Sequence, residues 1–299
     1  MALLVVTALI GTFIGASGKF IFEQIIPQWR AKRAKRNAIQ KYSFPLWRSS
    51  KYLLGVLTDS LFGKVDPSWR MSNDNYYKLK TLYFFGLFFG WCRSISNENL
   101  KEYIELNPGI KSSILDSFTQ RFNDVHKSIS DPSYFTEFED TSSANNGHNS
   151  IENSRIPSLV LTCIGELMIK KVGDKETSTT ALNFLEFVNK YNTNQEFKTW
   201  FDYFDRLFDD LESEKMNVKW NRLMLFYFYL ENFELLLRDI NMNKYQIKYP
   251  FRKLITTIKL KLSPRPGLKK VAINLHPSIR NHLNNSPSLK DLNYYFDDL

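Results

Sequence analysis

Glycine and proline interrupt this chain rarely: its 299 residues hold 12 and 11 of them, and they fall in clusters. The long segments between clusters carry no built-in breaker, which favours helices over a many-turned β fold. Hydrophobic spacing agrees. Leu46, Leu53, Leu54, Val56, Leu57 and Leu61 recur near the helical period and predict a helix over 37–62. GKVDPSW, from Gly63 to Trp69, reads as a loop, and Ser72-Asn73-Asp74 offers helix-start chemistry. Further helices are expected over 97–105, 110–129, 159–171, 181–191, 196–211 and 219–240, the last through LMLFYFYLENFELLL. The clearest amphipathic stretch is EFKTWFDYFDRLFDDL, with Phe197, Trp200, Phe201, Phe204, Leu207, Phe208 and Leu211 on one face. Asp202, Asp205, Asp209 and Asp210 lie largely opposite, as a solvated face rather than a metal site. Aromatic residues make up 15% of the chain, more than a disordered chain carries, so most of it should fold.

The segment YYKLKTLYFFGLFFGWCRSI, Tyr76 to Ile95, has an uncharged apolar core running only from Thr81 to Cys92. That is short for a membrane span and suits a buried helix, with Gly86 and Gly90 seating a neighbour; a re-entrant or second membrane helix is the alternative. The N-terminus differs. Ala2 to Ile26 is broken only by Lys19 and Glu23, long enough to span a bilayer. Gly18-Lys19 does not complete a phosphate-binding loop, because Phe13 and Phe20 stand where a glycine and a hydroxyl are needed. A cleaved signal peptide is disfavoured, since no Lys or Arg precedes the apolar run and RAKRAKR follows it. The segment therefore reads as a membrane helix with Lys19 snorkelling and Pro27 and Trp29 at the boundary. Ala8, Gly11, Gly15 and Gly18 share one face of it, where a second copy or a protein partner could pack closely. Arg30, Lys32, Arg33, Lys35 and Arg36 just beyond are expected to contact anionic lipid. Basic residues on that side predict a single-pass protein of the cytoplasmic (inner) membrane, N-terminus outside and the main domain in the cytoplasm.

Charge is laid out unevenly. The net +9 divides into +7 over residues 1–60, −6 over 61–237, +11 over 238–290 and −3 over the last nine residues. Basic ends flanking an acidic body suit an anionic membrane surface, whereas nucleic acid is disfavoured for want of any recognisable binding motif. After Pro250 two readings fit. One is a basic amphipathic helix with Phe251, Leu254, Ile255, Ile258 and Leu262 on its apolar face; the other is a hairpin of TTIKLKL and KKVAINL about SPRPG. The end, 281–299, is expected to be loosely ordered, and 141–155, rich in Asn and Ser, to be a mobile loop.

Chemistry is sparse. Cys92 and Cys163 sit in apolar runs as free thiols, and none of His126, His148, His276 and His282 has metal-ligand spacing. LVLTCIGELMIKK carries a single carboxylate, Glu166, which is expected to be a buried charge with a raised pKa or a cationic partner, Arg93 or Arg155. A catalytic acid is the alternative, although no second acid or base is placed beside it. No catalytic residue, cofactor, metal or small-molecule substrate is identified.

Several segments, in order, are similar to motifs of an uncharacterised bacterial family of membrane-anchored helical proteins of cyanobacterial and actinobacterial type. They are Trp29-Arg30, YSFPLW from Tyr42, YYKLKTLYFFGLFFGW from Tyr76, CIGELM from Cys163 to Met168, and the helices entered at Phe197 and Arg222. The resemblance covers roughly residues 20–240, and the chain departs from it at RIPSLVLT, where members carry a basic, glutamine-containing lead-in. It implies an anchor plus a helical domain and brings no catalytic residue. The expected organisation is all-α: a transmembrane anchor over 1–27, a bundle-like cytoplasmic domain over 28–240 with a flexible loop near 139–156, and a basic extension over 241–299. The expected function is an interaction or scaffold module at the membrane face. The alternatives are an enzyme assembled around Glu166 and a lipid or nucleic-acid binder acting through the basic extension.

Overall fold

A computed structural model of the chain describes residues 26–62, 75–97, 112–138, 151–172, 178–208, 211, 217–246 and 274–286, and these are mostly helical. In chain order the elements are α1 (Ile26–Phe62), α2 (Asn75–Asn97), α3 (Ser112–Ser130), a 3-10 turn (Pro132–Phe138), α4 (Ile151–Ser154) and α5 (Ser158–Met168). A short hairpin, β1 (Ile169–Val172) and β2 (Ser178–Ala181), leads to α6 (Phe184–Thr193), α7 (Gln195–Phe208), α8 (Val218–Gln246) and α9 (Pro277–Asn285). The hairpin is antiparallel, with Ile169 opposite Ala181 and Val172 opposite Ser178.

The centre is α8. Every residue from Asn217 to Glu234 is buried. Its aromatic and aliphatic residues fall on every side, so no face is left to water, and polar residues such as Arg222, Glu234 and Asn241 are enclosed with them; α1, α3, α4 and α9 surround this helix. Its Phe226 stacks on Phe85 of α2 at 5.5 Å between ring centroids, and Phe85 meets Phe204 of α7 at 4.5 Å. Three bonded pairs tie α8 to α1: Ser43 Oγ donates to Asn241 Oδ1 at 3.2 Å, Trp47 Nε1 to Glu234 Oε1 at 2.8 Å, and Thr58 Oγ1 to the Tyr227 hydroxyl at 3.4 Å. Residue numbers rise along one helix as they fall along the other, so the two are antiparallel.

Helices α2 and α5 meet through glycine. A Cβ on Gly165 would lie 2.7 Å from the Phe89 carbonyl oxygen, and one on Gly86 would lie 3.0 Å from Met168 Cγ and Sδ. Only residues without a side chain permit that approach. The seat expected at Gly86 and Gly90 is therefore present, and Leu79, Leu82, Phe85, Phe88, Phe89, Cys92 and Ile95 of the Tyr76–Ile95 segment are buried in the core.

Several expectations need correction. The helix expected over 159–171 ends at Met168, where Ile169 turns extended and the Leu182 amide donates to the Met168 carbonyl at 2.8 Å. Ala181, expected to open a helix, closes β2 instead; α6 starts after Asn183, whose side chain accepts from Glu186 N while Glu186 Oε2 accepts from Asn183 N. The start of the stretch expected to be loose, 281–285, is the second half of α9, which His276 caps at its start and Ile279 and Leu283 anchor at full burial; from 287 on the stretch lies outside the described residues. Part of the Asn/Ser-rich loop, Ile151–Ser154, is a helical turn with both end residues buried. Helix α1 begins at Ile26 rather than 37, so RAKRAKR is helical.

Among the described residues no helix is long and apolar enough to cross a membrane. The expected anchor, with Ala8, Gly11, Gly15 and Gly18, lies outside the described residues except for Ile26 and Pro27, which open α1; the helix expected over 97–105, apart from Asn97 at the end of α2, and the tail over 247–273 lie outside them as well.

Candidate functional site

Glu166 is not a buried charge. Its side chain is 53% exposed and takes bonds from Arg93 Nε at 3.0 Å and Nη2 at 2.6 Å. The reason lies in the register of α5: Val160, Leu161, Ile164, Gly165 and Met168 form its buried stripe, and position 166 falls outside it. Arg93, one of its two expected partners, therefore meets it on the surface across the α2–α5 seam. Arg155, the other, bonds Glu152 at 2.6 Å. Among the described residues no second carboxylate joins the Glu166–Arg93 pair, and the exposure of Glu166 gives no enclosure of the kind an acid–base site uses.

A fully buried cation is Arg222, on α8. Its side chain is wholly enclosed. Nε donates to Ser154 Oγ at 3.0 Å, Nη1 donates to the Asp131 carbonyl at 3.0 Å and the Ser128 carbonyl at 3.3 Å, and the guanidinium lies 4.1 Å from the Phe135 ring centroid. Among the described residues no carboxylate pairs with it and Nη2 has no hydrogen-bond partner. Burial, with repulsion from Arg155, pulls its pKa down to about 9, still charged at neutral pH. One side chain thus fastens the ends of α3 and α4 and the 3-10 turn to the central helix. The sequence signal was an arginine inside KWNRLMLFYFYL, where an unsupported charge would be costly.

Beside it, the Tyr229 hydroxyl lies 2.7 Å from His282 Nε2 and 3.3 Å from Ser286 Oγ, and Tyr134 packs against the His282 ring at 4.6 Å. Burial raises the Tyr229 phenol well above its ordinary value and lowers the His282 imidazole. Burial together with Asp124 and Asp131 raises Tyr134 to about 12. At neutral pH the pair is a neutral phenol and a neutral imidazole, a bond that holds α9 in place rather than an activated nucleophile.

The surface offers more than the interior. Aromatic rings join α1, α2 and α6 in one chain: Tyr52 to Phe84 at 5.3 Å, Phe84 to Tyr83 at 5.4 Å, Tyr83 to Phe184 at 5.3 Å and Phe184 to Tyr76 at 6.0 Å. Tyr76 is 56% exposed and Leu185, next to Phe184, 73%. One cation bonds the ridge and two lie over neighbouring rings. Arg48 donates to the Tyr52 hydroxyl at 3.0 Å, Lys51 lies 6.0 Å from the Trp47 ring and Lys80 lies 5.6 Å from that of Tyr77. None of these three forms an ion pair among the described residues.

Of the lipid-contact candidates, Arg30, Lys32, Arg33, Lys35 and Arg36 all lie on α1. Both cysteines are free, with Cys92 buried and Cys163 partly so, and no cluster of metal-ligating side chains occurs among the described residues. Fold and surface together define a helical module built round one enclosed helix, with an aromatic face and cations beside it. No family model matches the chain, and no curated protein or solved structure matches it significantly.

Proposed function

We propose that this chain is a membrane-attached interaction module, with the segment before Ile26 as anchor and the body presenting the aromatic ridge to a protein partner. The observation that carries the interaction role is the ridge itself. A contiguous row of rings, exposed at Tyr52 and Tyr76 and half-buried between them, with Arg48 bonded to it and Lys51 and Lys80 over neighbouring rings, cations without carboxylate partners among the described residues, has the make-up of a recognition surface. Its complement is a protein presenting carboxylates beside apolar side chains. Attachment is supported by α1, which carries the basic stretch and the first core residues on one unbroken helix. From Ile26 to Leu46 that helix rises about 30 Å, enough to hold the body clear of a headgroup layer. Placement in the cytoplasm, packing through Gly11 and Gly15, and membership in the anchored bacterial family are parts of the same proposal. An enzyme built on Glu166 is disfavoured by the exposure of its carboxylate.

A photo-crosslinking residue at Tyr76 of the full chain, in its native membrane, tests the ridge. A discrete adduct lost on Arg48→Glu with Lys51→Glu is expected. An adduct that survives both charge reversals, or none at all, contradicts the assignment. Removal of residues 28–299 by protease added outside intact cells would contradict the orientation.

A further inference from the structure

We infer that the outward face of α1 is the contact surface for a second copy of this chain, with the two α1 helices antiparallel. The inference rests on the reading of the ridge as a recognition surface and names the partner at its α1 end.

The face is what the core leaves over. Leu46, Leu53, Leu54, Leu57 and Leu61 of α1 are buried, whereas Phe44, Arg48, Lys51, Tyr52, Gly55 and Asp59 are exposed. At about 100° per residue these exposed positions fall within an arc of about 100°. Arg48 and Gly55 lie near its midline, with Lys51 and Tyr52 at its two edges. The stripe carries two rings, Phe44 and Tyr52, that are 41% and 40% exposed. Arg48 is held on it by donating to the Tyr52 hydroxyl at 3.0 Å. Among the described residues neither Arg48 nor Asp59 forms an ion pair. A Cβ on Gly55 would meet nothing within 4 Å. Glycine inside a helix weakens it, and its use is to let another backbone come close; within this copy nothing approaches.

The charges select the occupant and its direction. A second copy packed parallel would set Arg48 against the partner's Arg48 and Asp59 against the partner's Asp59. Packed antiparallel about a two-fold axis level with Leu53 and Leu54, it sets Arg48 beside the partner's Asp59 and Tyr52 beside the partner's Gly55. Each contact then occurs twice, because the interface is isologous. Arg48 and Asp59 are eleven residues apart, about 16 Å along α1, so they do not satisfy each other within one copy. An unrelated acidic protein would neutralise Arg48 but repel Asp59, whereas a second copy answers both. The two-fold axis also returns each edge of the stripe to its own side. Tyr52 therefore lies next to the partner's Tyr52, where the aromatic ridges of the two copies join, and Lys51 stays at the opposite, solvated rim. The N-terminal ends of the two α1 helices point apart, so copies attached at those ends pair across two apposed bilayers rather than side by side in one.

The test measures self-association of the full chain in detergent by sedimentation equilibrium. The chain should form a dimer that weakens as salt is raised. Arg48→Asp alone and Asp59→Arg alone should each raise the dimer dissociation constant about tenfold, since symmetry counts each reversal twice. Both substitutions in one chain restore opposite charges across the interface and should return the constant to near its starting value. A chain that stays monomeric, a dimer that ignores the single reversals, or a double variant no tighter than the single ones overturns the inference. The other readings fail in different readouts. The ridge fails when the crosslinker at Tyr76 gives no adduct. Attachment fails when the dimer forms in detergent yet vesicles carrying the reconstituted full chain stay unclustered.

Discussion

At the scale of single residues, two glycines in helices make opposite predictions. A Cβ on Gly165 meets the Phe89 carbonyl oxygen, which is backbone and cannot swing aside, whereas one on Gly55 meets nothing within 4 Å. Gly165→Ala should therefore cost about 1–3 kcal/mol through overpacking of the α2–α5 seam. Gly55→Ala should stabilise by about 0.5–1 kcal/mol, because it removes backbone freedom from the unfolded chain at an exposed helical site. Urea denaturation of both variants checks the signs. His126 makes a third prediction. Its ring lies against Phe122 at 4.8 Å and Phe89 at 5.3 Å, and its sealed Nε2 has no hydrogen-bond partner among the described residues. Burial lowers its pKa from 6.5 to about 4. The unfolded chain then takes up a proton below about pH 6.5 that the folded protein refuses, so stability falls as pH drops from there to about 4. The loss is up to about 3 kcal/mol, and His126→Phe should remove that component from the measured pH profile.

At the scale of elements, α6 depends on a reciprocal cap. Asn183 and Glu186 satisfy each other's backbone amides, and Lys170 of β1 pairs with the same Glu186. Asn183→Ala should cost about 1 kcal/mol, with faster amide exchange in the first turn of α6 as the local readout. The cap also marks where local sequence ceased to decide. Helix α8 was legible because of its long run free of glycine and proline, dense in aromatic and aliphatic residues, and α7 because its apolar positions repeat at helical spacing. The hairpin was hidden: IKKV continues the apolar run of α5, and only pairing with STTA across the turn makes it a strand. Glu166 was misjudged for a related reason. The high apolar content of its helix masked a narrow buried stripe that excludes position 166 and leaves Leu159 71% exposed. Arg222 was visible as a residue, but its role was not, since Ser128, Asp131, Phe135 and Ser154 converge on it from other elements.

At the scale of the whole molecule, antiparallel α1 and α8 give the body a direction. The end near Lys244 joins the basic stretch of α1, and the other end lies beyond the Thr58–Tyr227 pair. Aromatic surface and basic stretch are separate features: the ridge runs across α1, α2 and α6, and Arg30, Lys32, Arg33, Lys35 and Arg36 lie on α1 before Ala38. The attachment proposed here therefore demands that one particular end face the bilayer. Depth-dependent quenching of labels at Asn243 and at exposed Asp59, in the same reconstituted full chain, measures this directly. Asn243 should lie near the headgroups, with Asp59 farther from them by about 27 Å, the rise of α1 between the two levels. Equal depths, or Asp59 nearer the lipid, would contradict the account.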